Sequence, residues 1–400
     1  MNPDHGRTEP GRGTILLLAM IAALGSLATQ LLIPALPQLT HSLHNSAASA
    51  QSVIGIYLAG LGAGQLLAGP FADRIGRKPV LLSGLAVYCL ASAAAAFAPS
   101  MAWLLTARLF QALGGAAGVV TARVLVGDLY APQQAASKQA TLMAVVLISP
   151  ALAPVIGGLL SEVAGWRSLF AMLALAGMLG AVIAAKALPE PPARSGHERE
   201  TGTEATLADG FARLITNPRF LRPALGIIGG SSALYMYLGI APFLLHAEFG
   251  LRPREVGLCL MLVAGASIAG TFLVTPIGQR SDAMIVGTVL NFLSALLLLT
   301  LALIGSHSLA SFLVPTTLLG LGSGMSGPAG ITRVIAAEPG LEATAASLAG
   351  ASQMLMSALA ALILGRFAPV GQAGLGTALI IATGVAMVAV ARPRISTPDQ

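Results

Sequence analysis

The sequence predicts an all-α membrane protein with twelve transmembrane helices in two six-helix halves. Three observations carry that prediction. Of the 400 residues, 55% are hydrophobic and only 10% are charged, whereas soluble domains carry about 25% charged residues; most of this chain is therefore solvated by lipid. Apolar stretches near the roughly 20 residues needed to cross a bilayer recur from end to end. One polar, Pro-, Glu- and Arg-rich stretch, Pro189 to Arg219, divides them six and six.

Taken in order, a polar tail (1–13) precedes the first span, Thr14–Pro34, which is too long and too late for a cleavable signal. The next spans are Gln51–Phe71, Val80–Ala98, Ala102–Val126, Gln139–Leu160 and Ser168–Ala187, which complete an N-terminal half (14–188). The linker (189–219) has a short amphipathic stretch near Leu207–Ile215 and otherwise no apolar period. A C-terminal half (220–391) follows, with spans Phe220–Leu245, Glu255–Pro276, Ala283–Ile304, Leu309–Gly327, Ala343–Leu364 and Gly371–Val390, and then a tail (392–400). The halves share a span pattern and no evident residue-level repeat.

Charge sets the orientation. Basic residues concentrate in cytoplasmic segments of membrane proteins. With both termini inside, that side holds Arg7, Arg12, Arg74, Arg77, Lys78, Lys138, Lys186, Arg194, Arg199, Arg213, Arg219, Arg222, Arg280, Arg333, Arg392 and Arg394, and the outside only Arg167, Arg252, Arg254 and Arg366. The remaining two of the 22 basic residues, Arg108 and Arg123, fall within the fourth span. The net charge of +6 is thus spread over short loops, a pattern that gives orientation rather than nucleic-acid binding. Cys89 and Cys259 sit in apolar segments as packing residues, with no disulfide or metal framework around them. No cofactor or metal is expected. The expected partners are the bilayer and a small-molecule substrate, with the protein a monomer.

The most informative stretch is Gly69-Pro70-Phe71-Ala72-Asp73-Arg74-Ile75-Gly76-Arg77-Lys78-Pro79, a tight charged turn between two apolar spans. Gly69 is read as a close-packing point at the end of the second span and Gly76 as the turn residue. This stretch resembles the G-x-x-x-D-R-x-G-R-K/R signature loop of the major facilitator superfamily, which implies that superfamily's fold and alternating access between two rigid halves. The resemblance implies that Asp73, Arg74, Arg77 and Lys78 form a cytoplasmic latch, with Asp128 as a further partner of Arg77. The alternative is that these charges only set topology. Pro276-Ile-Gly278-Gln-Arg280-Ser-Asp282 is a degenerate second copy, expected to be weaker.

Arg108-Leu-Phe-Gln111 resembles the R-x-x-Q-G motif of proton-coupled drug exporters, shifted because Ala112 and Leu113 precede Gly114 and Gly115. Arg108 lies about 9 Å into its span at 1.5 Å per residue, a depth at which an arginine faces a cavity or a partner, or snorkels to the interface. Arg123 to Tyr130 resembles the R-A-x-x-R-D-L-Y segment of the bicyclomycin/chloramphenicol-resistance family, with Gly127 replacing its second Arg. Ser149-Pro150-Ala-Leu-Ala-Pro154-Val-Ile-Gly157-Gly158 resembles the antiporter motif G-P-x-x-G-G, Ala153 replacing one Gly. Pro154 is expected to bend the span, and Gly157 and Gly158 to let it pack closely and pivot.

Thr29-Gln30-Leu31-Leu32-Ile33-Pro34-Ala35-Leu36-Pro37 is similar to that family's T-D-x-Y-L-P-A-L-P, with Gln30 at the acidic position. A glutamine cannot titrate, and no carboxylate lies near the middle of any span: Asp128, Glu162, Glu248, Glu255 and Asp282 are all at span ends. This makes Arg108 the expected cavity charge, favouring neutral or anionic substrates. Gln30, Gln111, Tyr57, Tyr235, Tyr237, Asn291 and Gln353 are the other candidate contacts; Gln65, Met354 and Met356 share the choice between contact and packing.

The resemblance implies export of small amphipathic drugs or metabolites, driven by a proton gradient. Without a mid-membrane acid, a facilitator or importer of a metabolite remains the alternative. Paired groups at depth for a membrane hydrolase, and a soluble domain for a receptor, are both missing from the sequence.

Overall fold

The computed structural model describes residues 12–188, 207–367 and 370–391, and every described element is helical. Among the described residues, twelve helices are long and apolar enough to cross a membrane. The tails, most of the linker and Arg7, Arg194, Arg199, Arg392 and Arg394 lie outside the described residues.

The first span is not one helix. α1 (Arg12–Gln30) ends short of Pro34, a 3-10 turn covers Ile33–Ala35, and α2 (Leu36–Ser42) carries Pro37 in its first turn. A proline at 34 has no N–H for the helical ladder and collides with the carbonyl four residues earlier, that of Gln30. α3 (Ala47–Ile75) and α4 (Arg77–Ala96) are separated by Gly76 alone, whose φ of 104° suits only glycine without strain. α5 (Met101–Leu129) starts at Ser100, whose hydroxyl accepts from the Trp103 amide. α6 (Pro132–Ala164) is longer than its apolar run, since Pro132 begins it in the first turn, where a proline loses no bond. α7 is Trp166–Ala187.

α8 (Leu207–Thr216) is a short helix before α9 (Pro218–Phe249), and α10 is Pro253–Gly278. α11 (Ala283–Leu303) is capped by Asp282, which accepts from the amides of Met284 and Ile285. α12 (Leu309–Ile335) opens with a Ser308/Ser311 capping box; α13 (Glu342–Gly365) and α14 (Gln372–Ala391) complete the chain.

The helices form two compact units. One contains α1–α7 and the first turns of α10, Arg252–Leu258; the other contains α8, α9, the rest of α10 and α11–α14. In the first, α5 packs on α1, α3 and α4, and α1 also packs on α6 and α7. In the second, α9 packs on α12, α13 and α14, and α11 packs on α12 and α14. Large apolar side chains such as Leu90, Phe272 and Ile381 point outward, as lipid contact requires.

Lipid supplies no hydrophobic drive between helices, so close van der Waals packing at small residues holds them together. At the α4/α5 crossing Gly84 faces Gly114. A Cβ on Gly114 would stand 2.5 Å from the Gly84 carbonyl oxygen and 2.6 Å from the Tyr88 amide. The α11/α12 crossing repeats this: a Cβ on Gly287 would lie 2.6 Å from the Gly322 oxygen.

Gly69 does not have the close contact expected of it, because a Cβ there meets nothing within 4 Å. On α3 the close approach belongs to Gly64, one turn and a residue earlier, where a Cβ would stand 2.6 Å from that of Ala116. Gly114→Val is therefore expected to cost about 1–3 kcal/mol or more through overpacking against backbone, while Gly69→Ala leaves stability unchanged or slightly raised. Thermal unfolding of the two variants in detergent checks this contrast.

Candidate functional site

Gln30 ends α1 at a kink in the first span, and the polar interior of the first unit is built around that end. Leu31 N–H continues the ladder to the Leu27 carbonyl at 2.9 Å, but Leu32 N–H turns to the Thr29 carbonyl at 3.2 Å. The Ala28 carbonyl is thereby left to Arg108, whose Nη1 donates to it at 3.1 Å. The same Nη1 donates to Gln111 Oε1 at 2.7 Å, and Gln111 Nε2 donates to Ser92 Oγ at 2.8 Å. Ser92 in turn donates to the Tyr88 carbonyl at 2.6 Å.

Two tyrosines complete the clamp on α1. Tyr57 Oη donates to the Gly25 carbonyl at 2.7 Å and Tyr88 Oη to the Leu24 carbonyl at 3.2 Å. The guanidinium carbon lies 3.9 Å from the centre of the Tyr57 ring and 5.8 Å from that of Phe170. Arg108 Nε and Nη2 have no hydrogen-bond partner among the described residues. Arg108, Gln111, Ser92, Tyr57 and Tyr88 are all fully buried.

This placement corrects the reading of Arg108 as a cavity charge or a snorkelling one. Its side chain is enclosed by helices of the first unit, and its charge is taken up by a helix C-terminus and an aromatic face. The argument from Arg108 to a preference for anionic or neutral substrates falls with it. Tyr57 and Gln111 belong to the same buried cluster. Sequence reading missed Tyr88, Ser92 and Phe170; the one available signal was the four-residue spacing that puts Tyr88 and Ser92 on one face of α4.

The other candidates are dispersed. Gln30 is half-buried, and its amide makes no hydrogen bond among the described residues. In the second unit Tyr237 is buried with its ring centre 6.1 Å from that of Phe312. Asn291 is buried where α9, α11 and α12 meet, accepting from Ser323 Oγ at 3.4 Å. Tyr235, Gln353, Met354 and Gln65 are half-buried. Met356 lines an apolar cleft of about 700 Å³ with Met236, between α9, α13 and α14.

At the Gly76 turn, Arg77 and Asp128 come together: Arg77 Nε donates to Asp128 Oδ2 at 2.8 Å. Lys78 Nζ donates to the Leu188 carbonyl at 2.6 Å, closing the end of α7. Arg74 is exposed, and the Asp73 side chain lies outside the described residues. On α6, Pro154, Gly157 and Gly158 are buried. A Cβ on Gly157 would run into the Leu31 backbone, and one on Gly158 would lie 2.9 Å from the Arg254 Cα.

In the second copy of the charged turn the charges are inverted. Asp282, at the start of α11, pairs with Arg333, near the end of α12. Arg77 and Asp128 stand on the corresponding helices of the first unit with acid and base exchanged, and both pairs join residues 51 apart in the chain. Hydroxyl pairs also recur: Ser26 with Ser149 across α1/α6 at 3.1 Å, and Ser231 with Ser357 across α9/α13 at 3.2 Å.

A family model described as Major Facilitator Superfamily matches residues 18–361. The chain is 31% identical over 366 residues to multidrug resistance protein D of Escherichia coli (strain K12), covering 90% of this chain and 91% of that one. It is 30% identical over 317 residues to a chloramphenicol resistance protein of Pseudomonas aeruginosa, covering 77% and 73%. The fold resembles that of a crystal structure of a bacterial homologue of the human lysosomal transporter Spinster, with a TM-score of 0.77 at 18% identity over 95% of both chains.

Burial pushes the Asp282 carboxyl up, but hydrogen bonding and charge from Arg333, with the amides of Ile285 and Met284, outweigh it and hold the group below its ordinary value. A lowered folded-state value means that the pair's contribution is complete above the usual aspartate range, near ~4, and is lost as pH falls through the lowered value. Asp282→Asn is expected to flatten the acid limb of a plot of unfolding temperature against pH below about 4; an unchanged limb contradicts the assignment.

Proposed function

The chain belongs to the Major Facilitator Superfamily, a family of secondary transporters, and from that premise we propose that it exports small amphipathic compounds, drugs among them, by proton antiport. The observation that carries this reading is 31% identity to a multidrug resistance protein over nine-tenths of both chains. The similarity to a chloramphenicol resistance protein supports the same class of cargo. The protein works as a monomer in the inner membrane by alternating access, with both termini cytoplasmic, an orientation supported by the distribution of basic residues.

Within this reading, substrate contact falls to the half-buried candidates, with Gln30, Tyr235 and Gln353 offering neutral hydrogen-bonding groups. The proton cannot be carried by Gln30. Every carboxylate in the spans is at an end, so coupling falls to the cytoplasmic charge cluster, with Asp73 and Asp128 as the candidate proton carriers and Arg77 as the ion-pair partner of Asp128. Protonating Asp128 neutralises one half of an ion pair that is mostly shielded from solvent, loosening the junction of α4 and α5. Gly76 and Lys78 hold the same turn, and Gly157 and Gly158 let α6 pack closely.

The test uses full-length protein in liposomes with an internal pH dye and chloramphenicol as the probe. A proton gradient is expected to drive chloramphenicol against its own gradient with measurable proton movement, and Asp128→Asn to abolish the proton movement. Chloramphenicol counterflow without proton movement in the wild type would instead establish facilitated transport.

A further inference from the structure

At the junction of α10 and α11 the second unit has a polar pocket of about 490 Å³, closed on its third side by the end of α12. Its polar lining is Gln279, Arg280, Ser281, Asp282, Thr332 and Arg333, beside half-buried apolar residues Val274 and Ala329. The apolar spans end here: α10 stops at Gly278, α11 begins at Ala283 and α12 runs to Ile335. One turn and more back along α10, Phe272 is 73% exposed and Leu273 38% exposed, an outward apolar surface directly below the polar one. The pocket therefore lies at the level where hydrocarbon gives way to headgroups.

Its charges are unequally committed. Asp282 is engaged by Arg333 and by the Met284 and Ile285 amides. That acid also occupies the first donors of α11, so the helix end itself is not vacant for a ligand. Arg280 is exposed and its guanidinium makes no hydrogen bond or ion pair among the described residues. Two arginines against one carboxylate leave a net positive pocket at the bilayer boundary, with hydroxyl and amide groups beside it.

We infer that this pocket binds the phosphate of an anionic phospholipid, held by Arg280 with the positive charge of Arg333 beside it, and with the glycerol and first acyl carbons on the Val274 and Ala329 side. Basic pockets between membrane helices take anionic headgroups because charge attraction and acyl burial act together. A soluble phosphate offers the same charge without the apolar part. The inference concerns the second unit alone and stands whether or not the protein is proton-coupled.

Delipidated full-length protein in neutral detergent is titrated with dioctanoyl phosphatidylglycerol, dioctanoyl phosphatidylcholine or inorganic phosphate, and bound mass is read by native mass spectrometry. Phosphatidylglycerol is expected to bind in preference to phosphatidylcholine. Arg280→Gln is expected to weaken it about fivefold. Arg366→Gln, at the C-terminal end of α13 and outside the pocket lining, should leave it unchanged. Arg280 is a surface residue without a partner among the described residues, so its replacement does not threaten the fold. Equal binding of the two lipids, an unaffected Arg280→Gln variant, or competition by inorganic phosphate at the same concentration as the lipid would each overturn the proposal.

Discussion

An arginine buried among membrane helices, with no carboxylate beside it among the described residues, is the constraint around which the first unit is built. Withdrawing a cation from water costs several kcal/mol even after relaxation. Arg108 offsets that with three contacts, each of order ~2 kcal/mol in a desolvated setting: the C-terminal end of α1, the Tyr57 ring and the Gln111 carbonyl. None of them is a conventional salt bridge. The arrangement needs the carbonyl of Ala28 to be vacant, and it is vacant because Leu32 bonds back to Thr29 before Pro34. Pro34 ends α1, the end of α1 receives Arg108, and Tyr57 and Tyr88 fasten the preceding turn. One helix end is thus held by donors from three other helices.

The two units repeat contacts more faithfully than they repeat residues. Glycines oppose each other at α4/α5 and at α11/α12, serine hydroxyls meet at α1/α6 and α9/α13, and an ion pair ties the start of α4 or α11 to the end of α5 or α12. In that ion pair the charges are exchanged, which removes the similarity from any residue-by-residue comparison while preserving the interaction.

The sequence made the twelve spans legible because hydrophobic length is a local property, and the Gly76 turn because its glycine and charges are adjacent. It also pointed to Arg77 and Asp128 as partners. It misplaced Arg108: depth in a span can be counted from the sequence, but the face of α5 that meets Tyr57 and the end of α1 depends on packing among four helices. Gly69 misled for the same reason. A motif glycine suggests close approach, yet the neighbour that needs the space stands opposite Gly64. Arg333 was read only as a topological charge, since its partner lies 51 residues away.

The capping of α1 by Arg108 is tested most directly by hydrogen exchange on wild type and Arg108→Met in the same detergent. Methionine keeps the length and removes the donors. Exchange in the segment 24–35 is predicted to accelerate about tenfold, corresponding to ~1.4 kcal/mol of lost local protection, while the α11/α12 crossing keeps its protection. Unchanged exchange at the end of α1 would contradict the account and return Arg108 to the role of a substrate-facing charge.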